Sequence, residues 1–271
     1  MKISVIGSGN LAWHLSQALE NSGHFLLEIH SRDPANARHL VSRLYDAAVM
    51  PDLDFSESDA DIIFLAVPDD AIADVLSKIV LPENVILVHT SGNTSLDELN
   101  RLVDVYSDVP VQTGVFYPLQ TFSKTRVVNF GEIPICVESL DQTTESTLTE
   151  LAKTLSEVVY LVSSQERKIL HLAAVFACNF TNNLLSQSKS ILDFANLDFT
   201  MLHPLIRETC QKALSADDPK LVQTGPAIRR DSTTMQNQQV YLSENHPHLL
   251  SIYQKLSQSV IESSLLNRIT P

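Results

Sequence analysis

Along the first 160 or so residues, apolar positions come in short unbroken runs separated by stretches of helical spacing. Lys2-Ile3-Ser4-Val5-Ile6, Phe25 to His30, Asp61 to Val67 and Val85 to Val88 are too short for buried helices and read as strands covered on both faces. Ile133 to Val137 and Val158 to Val162 extend the same sheet. Between the strands the period lengthens to that of a helix, first at Leu11 to Leu19. This alternation predicts an α/β fold: an N-terminal Rossmann-type, mostly parallel sheet over residues 1–162.

From Gln165 onward the strand pattern stops, which predicts an all-α C-terminal domain over residues 163–271. Glu166 to Phe194 holds neither Gly nor Pro and is apolar on nearly every side in its middle, so it is expected to be buried. Further helices are expected at Phe199 to Leu214, with Pro204 in a first turn, at Ser232 to Leu242 and at His248 to Leu265. Asp141 and Asp231 sit where helix N-caps are expected, and His246-Pro247-His248 reads as a helix-start turn.

The run Lys2–Ile6 leads into Gly7-Ser8-Gly9-Asn10-Leu11-Ala12 and then a helix, the order of a dinucleotide-binding turn. The first glycine permits the tight turn, the second lets backbone approach a pyrophosphate, and small Ala12 lets helix and strand pack closely. Gly7, Ser8, Gly9, Asn10 and Leu11 are therefore the expected pyrophosphate cradle. The second strand runs out at His30-Ser31-Arg32 without an acid at its tip, and a guanidinium beside a hydroxyl suits the 2′-phosphate of NADP. Glu28 is the rival for an NAD ribose, but it lies inside the strand. Val67-Pro68 and Ser91 end two more strands at the edge where ligands of open α/β sheets collect, and either line the cofactor channel or are plain turns.

Composition narrows the function classes. With 44% hydrophobic and 19% charged residues, and no apolar stretch near the ~20 residues of a membrane span, no membrane partner is expected. A net charge of −13 argues against nucleic acid. A strand starting at Lys2 leaves no room for a leader, and three widely spaced cysteines suggest no disulfide framework, so a cytoplasmic location is expected. The nine histidines show no ligand spacing, and no metal is expected. Against the acidic balance, His30, Arg32, Arg38, His39 and Arg43 cluster within fourteen positions; Arg38, His39 and Arg43 read as a solvated helix face.

Several strings resemble the β-hydroxyacid dehydrogenase and pyrroline-5-carboxylate reductase superfamily, and within it the Rossmann-like NADP oxidoreductases with a DUF2520 C-terminal domain. They are the glycine turn, Ala66-Val67-Pro68-Asp69, His89-Thr90-Ser91-Gly92, Gly114 to Phe122, His171 to Phe180 and Thr224 to Asp231. The family pattern has His where Tyr117 stands and Gly where Arg230 stands. The lysine and asparagine, one turn apart, of related hydroxyacid dehydrogenases are not reproduced; His171 is followed by Val175, with Asn179 two turns on. The resemblance implies a fold and NADP as cofactor more strongly than it implies a reaction.

Candidate chemistry gathers on the apolar helix. His171, Cys178 and Asn182 share a face at α-helical spacing, with Asn179 and Asn183 on its flank. These polar groups either face a substrate cleft or are satisfied in a core or subunit interface. Cys178 reads as packing, because no cation stands beside it in sequence. His171 and Asn179 are the candidates to orient or protonate a substrate, Gln120 to close the cleft, and Arg229, after Gly225-Pro226, to clamp an anion. The expectation is an NADP(H)-dependent oxidoreductase moving hydride to or from a small carbonyl or imine substrate, as a homodimer paired through the α-domain. The alternatives are a deazaflavin-linked NADP reductase and a non-catalytic NADP-binding sensor or scaffold.

Overall fold

The computed structural model describes residues 1–266. The chain divides into two compact units, Met1–Cys178 and Asn179–Pro271.

In the first unit the expected apolar runs form β1 (Lys2–Ile6), β2 (Phe25–His30), β4 (Ile62–Leu65), β5 (Ile86–His89), β7 (Ile135–Glu138) and β8 (Val159–Leu161). Two further strands join them. β3 (Ala48–Met50) is a three-residue edge, and β6 (Gln112–Pro118) runs through what the sequence shows as a motif ending in a turn. The eight strands lie in the order β3-β2-β1-β4-β5-β6-β7-β8. Every neighbouring pair is parallel except β6 and β7, where Val115 faces Glu138 and Pro118 faces Ile135. A loop without an α-helix, residues 119–134, joins those two strands, and it allows the chain to reverse.

The pleat sends alternate residues to two cores. Ile62 and Phe64 pack with Leu15 and Leu19 of α1 (Asn10–Asn21), Leu40 of α2 (Pro34–Val41) and Leu148 of α5 (Gln142–Leu155). Ile63 and Leu65 pack on the other face with Leu76 of α3 (Ile72–Leu76) and Leu99 of α4 (Leu96–Tyr106). β1 lies between β2 and β4, so the strand order reverses there and a ligand crevice opens over its carboxyl end.

α6 (Ser164–Ala174) follows β8 with a capping box: Ser163 accepts from the Glu166 N–H while the Glu166 carboxylate accepts from the Ser163 N–H. After it comes a π-helical segment, Val175–Phe180, and then α7 (Thr181–Phe194). The second unit contains α7, α8 (His203–Ser215), α9 (Pro226–Arg229), α10 (Ser232–Asn245) and α11 (Pro247–Leu266). Pro204 occupies the first turn of α8, and Asp141 and Asp231 cap α5 and α10 as expected. Arg230 is left-handed, φ 55°, the conformation glycine adopts at least cost, and this accounts for the family glycine at that position.

The long apolar helix does not follow its expectation. It is not buried within the chain: Ile169, Leu172, Phe176 and Leu184 are exposed. A helix apolar on all sides requires cover, but the pattern does not say that the cover belongs to the same chain. By length and composition alone the 31-residue stretch Ser164–Phe194 also passes for a membrane span, contrary to expectation. Its charged Arg167 and polar Asn179, Asn182 and Asn183 fit poorly with hydrocarbon.

Candidate functional site

The glycine turn has the features a pyrophosphate needs. Gly7 adopts φ +126°, and a Cβ there would stand 2.1 Å from the Ala66 carbonyl oxygen, so only glycine fits. Its N–H donates to the His30 oxygen at 2.8 Å, which fixes the turn between β2 and β4. Gly9 is the opposite case: an added Cβ meets nothing within 4 Å. That open space lies at the start of α1, where Gly9 is the N-cap and no side chain caps the free N–H groups. An anion is the natural cap. Ser8 Oγ lies 2.7 Å from Ser31 Oγ, joining the cradle to the tip of β2, and Arg32 next to it is exposed with no ion pair among the described residues. Glu28 accepts hydrogen bonds from the Ser4 and Ser58 hydroxyls inside the sheet and so is not presented as a ribose ligand. These residues fit an NADP 2′-phosphate and pyrophosphate.

A second constellation lies in the same unit. The Tyr117 hydroxyl, at the end of β6, is 3.0 Å from Nδ1 of His171 on α6. Gly92 packs against the pair, and a Cβ there would come within 2.7 Å of His171 Nδ1 and 3.0 Å of Tyr117 Cζ. Burial pushes the Tyr117 phenol up to about 12, so it stays protonated, and its hydroxyl can donate to a bare Nδ1 or accept from an Nδ1–H.

One buried arginine holds this arrangement. Arg167 on α6 has no solvent exposure. Its Nε donates to the Ser91 carbonyl at 3.1 Å, Nη2 to the Thr94 carbonyl at 2.5 Å, and Nη1 pairs with Glu138 of β7. Glu138 also accepts from the Ser164 N–H and hydroxyl, so the charge pair is fully hydrogen-bonded at the start of the helix. Arg167 thus ties α6 to the loop after β5, one turn before His171. At the end of β5 His89 is buried, and Nδ1 accepts from the Ser91 N–H at 3.1 Å. Desolvation, with Arg167 adding repulsion, lowers His89 to about 3, so it is neutral.

Of the residues expected from the sequence, the structure brings together those of the glycine turn with Ser31, and separately His171 with the loop that carries Ser91. The Ser91 hydroxyl accepts from the N–H groups of Asn93 and Thr94 and so holds the turn. Val67 packs against the second core, and Pro68 is exposed beside it. Gln120 is exposed and its amide oxygen accepts from the Thr121 N–H at 2.7 Å. Asn179, Asn182, Cys178 and Arg229 are exposed. The π-helical segment interrupts the α-helical period that places His171, Cys178 and Asn182 on one face. Tyr117 as partner, Arg167, Glu138 and His89 were not candidates in the sequence; 29 residues separate Arg167 from Glu138, and no local pattern reports such a pair. No group of three or more His, Cys, Asp or Glu able to hold a metal occurs among the described residues.

Residues 133–260 match the family pattern of a domain of unknown function, DUF2520, and residues 2–93 match that of the coenzyme F420-dependent NADP oxidoreductases. A Bacteroides fragilis protein described as an NADP oxidoreductase is similar over 96% of this chain and 98% of its own, at 38% identity and TM-score 0.87. A reductive aminase from Aspergillus terreus, in complex with NADPH and ethyl levulinate, shares the fold at TM-score 0.72 and 13% identity over 99% of both chains. So does an imine reductase from Myxococcus stipitatus in complex with NADP+, at TM-score 0.64 and 15% identity over 97% of this chain and 94% of that one. No curated protein sequence matches.

Proposed function

Because the chain belongs to the DUF2520-domain NADP oxidoreductases, we propose that its two constellations work as one enzyme site, reducing a small carbonyl or imine compound with NADPH or running the reverse. The observation that carries the reading is the Tyr117–His171 hydrogen bond beside Gly92. NADPH supplies the hydride, and the protein must bind it, orient the acceptor and move one proton. The uncapped start of α1 and open Gly9 hold the pyrophosphate, and Arg32 with Ser31 holds the 2′-phosphate. A phenol held near 12 is a poor acid at neutral pH, whereas imidazole is matched to it. His171, as the imidazolium, therefore donates its Nε2 proton to the substrate heteroatom and is left neutral, its Nδ1–H held by the Tyr117 hydroxyl oxygen. Asn179, Gln120 and Arg229 stay in the proposal for their chemistry: two amides that can orient a carbonyl or imine, and a guanidinium that can bind an anionic substituent.

The F420-related pattern covers the dinucleotide-binding half alone, so it supports NADP binding rather than a deazaflavin partner. The chain also works as a homodimer through its apolar helices in this proposal, supported by exposed Ile169, Leu172, Leu184 and Phe194. The free thiols Cys136, Cys178 and Cys210 support a reducing, cytoplasmic setting.

The test is a panel of carbonyl and imine compounds followed by loss of NADPH absorbance. His171→Gln should lower turnover by about 10²-fold or more, with NADPH affinity and melting temperature near parent values. Arg32→Ala should cost about 1.5–3 kcal/mol in NADPH affinity and little for NADH. Equal parent affinities for the two cofactors, or full turnover in folded His171→Gln, would reject the corresponding half of the assignment.

A further inference from the structure

The basic run His30 to Arg43 is only partly used by the site above, and its far end meets other cations. Trp13, the single tryptophan of the chain, lies on α1 with 8% exposure. The Arg43 guanidinium lies 5.7 Å from the indole centroid, the Lys124 ammonium 5.3 Å and the His39 ring 4.7 Å. Next to them a cavity of about 430 Å³ opens between the outer face of α1 and residues 124–131; it is lined by His14, Gln17 and Asn21 on the helix and by Lys124, Arg126 and Asn129 on the loop.

No carboxylate lines this cavity. The nearby acids on both walls are committed: Glu20 accepts from the Tyr45 N–H, and Glu132 from the Asn129 amide. Arg43, Lys124 and Arg126 take part in no ion pair among the described residues. In a chain of net charge −13, three cations gathered from two separate segments without an acid among them form a local positive well. An exposed cation–π contact, about 0.5–1 kcal/mol, attracts each cation to the indole but leaves its charge unneutralised.

We propose that this cavity is a second ligand site, for a small phosphate-bearing molecule, with Lys124 and Arg126 as its anion contacts. Lysine offers a compact charge and arginine a planar fork, the pair suited to an anion with several acceptor oxygens. The volume falls within the ~300–1,000 Å³ typical of small-ligand sites. None of the lining residues belongs to the glycine turn or to the tip of β2, so the site is separate from the cofactor cradle.

Trp13 is a built-in reporter. Inorganic pyrophosphate is titrated into the full-length protein at constant ionic strength, with NADP+ saturating so that the glycine turn is occupied, and tryptophan emission and heat are followed. A saturable response is expected. The double variant Lys124→Glu/Arg126→Glu should weaken it at least tenfold, and Lys124→Gln/Arg126→Gln, which keeps the side-chain bulk, by less. The proposal is overturned by the absence of a saturable response in both signals, by a response that appears only without NADP+, or by one that the charge reversals leave intact.

Discussion

The sheet of Met1–Cys178 buries apolar side chains on both faces, and Ile169, Leu172 and Phe176 at the helical end of that unit stay exposed, whereas in Asn179–Pro271 the buried hydrophobic residues among those described are Ala227, Leu242 and Leu249. Phe194, Met201, Leu205 and Leu221 of the second unit stay exposed. Both units have regular helices, and α5 and α10 carry side-chain N-caps. What differs is whether an apolar stripe finds its cover within the chain, and helical propensity alone does not provide that cover.

The strongest way to break this contrast is to make the uncovered face unable to pair. In the proposed homodimer, Leu172→Glu/Leu184→Glu on the apolar helix should convert the dimer to a monomer by light scattering, because an uncompensated buried charge costs roughly 3–5 kcal/mol. The dissociation constant should rise by at least about 10³-fold, while Trp13 emission, which reports the first unit, keeps its parent melting transition. A monomeric parent protein, or a variant that still pairs, would remove the explanation for the open second unit.

A smaller effect probes the first unit. His89 has a folded-state value near 3 against an ordinary 6.5, so as pH falls the unfolded chain takes up its proton first. The contribution of neutral His89 is complete above pH 6.5 and is lost progressively towards pH 3. At about 1.36 kcal/mol per unit, roughly 3 kcal/mol should be gone by pH 4. Denaturant melts of His89→Leu should show a correspondingly flatter pH dependence, and an unaltered slope would mean that another group controls acid unfolding. The smallest effect sharpens the second unit: Arg230→Gly relieves a left-handed residue and should raise its stability by up to ~1 kcal/mol, measured as a shift in the denaturant midpoint.

The residues that could be read from sequence were those whose signal is local. The buried parallel strands show as continuous apolar runs, and the cofactor turn as two glycines between a strand and a helix. β3 has too few residues to show a period, and Gly114 and Pro118 disguise β6 as a turn motif. The Tyr117–His171 bond spans 54 positions and the Arg167–Ser91 bond 76, distances over which sequence spacing carries no geometry. The apolar helix was legible as needing cover, but its pattern could not name the molecule that supplies it.

The antiparallel step between β6 and β7 decides where His171 arrives. Because β8 runs parallel to β7, the last two strands run opposite to the rest of the sheet, and β8 ends at Leu161, paired with Val137 at the level of Phe116, near the carboxyl ends of β4 and β5. α6 starts at the level of Glu138, which lies opposite Val115, and climbs past Ser91 to meet Tyr117. A single reversed hairpin thus works as a delivery ramp, setting a histidine at the rim of the sheet.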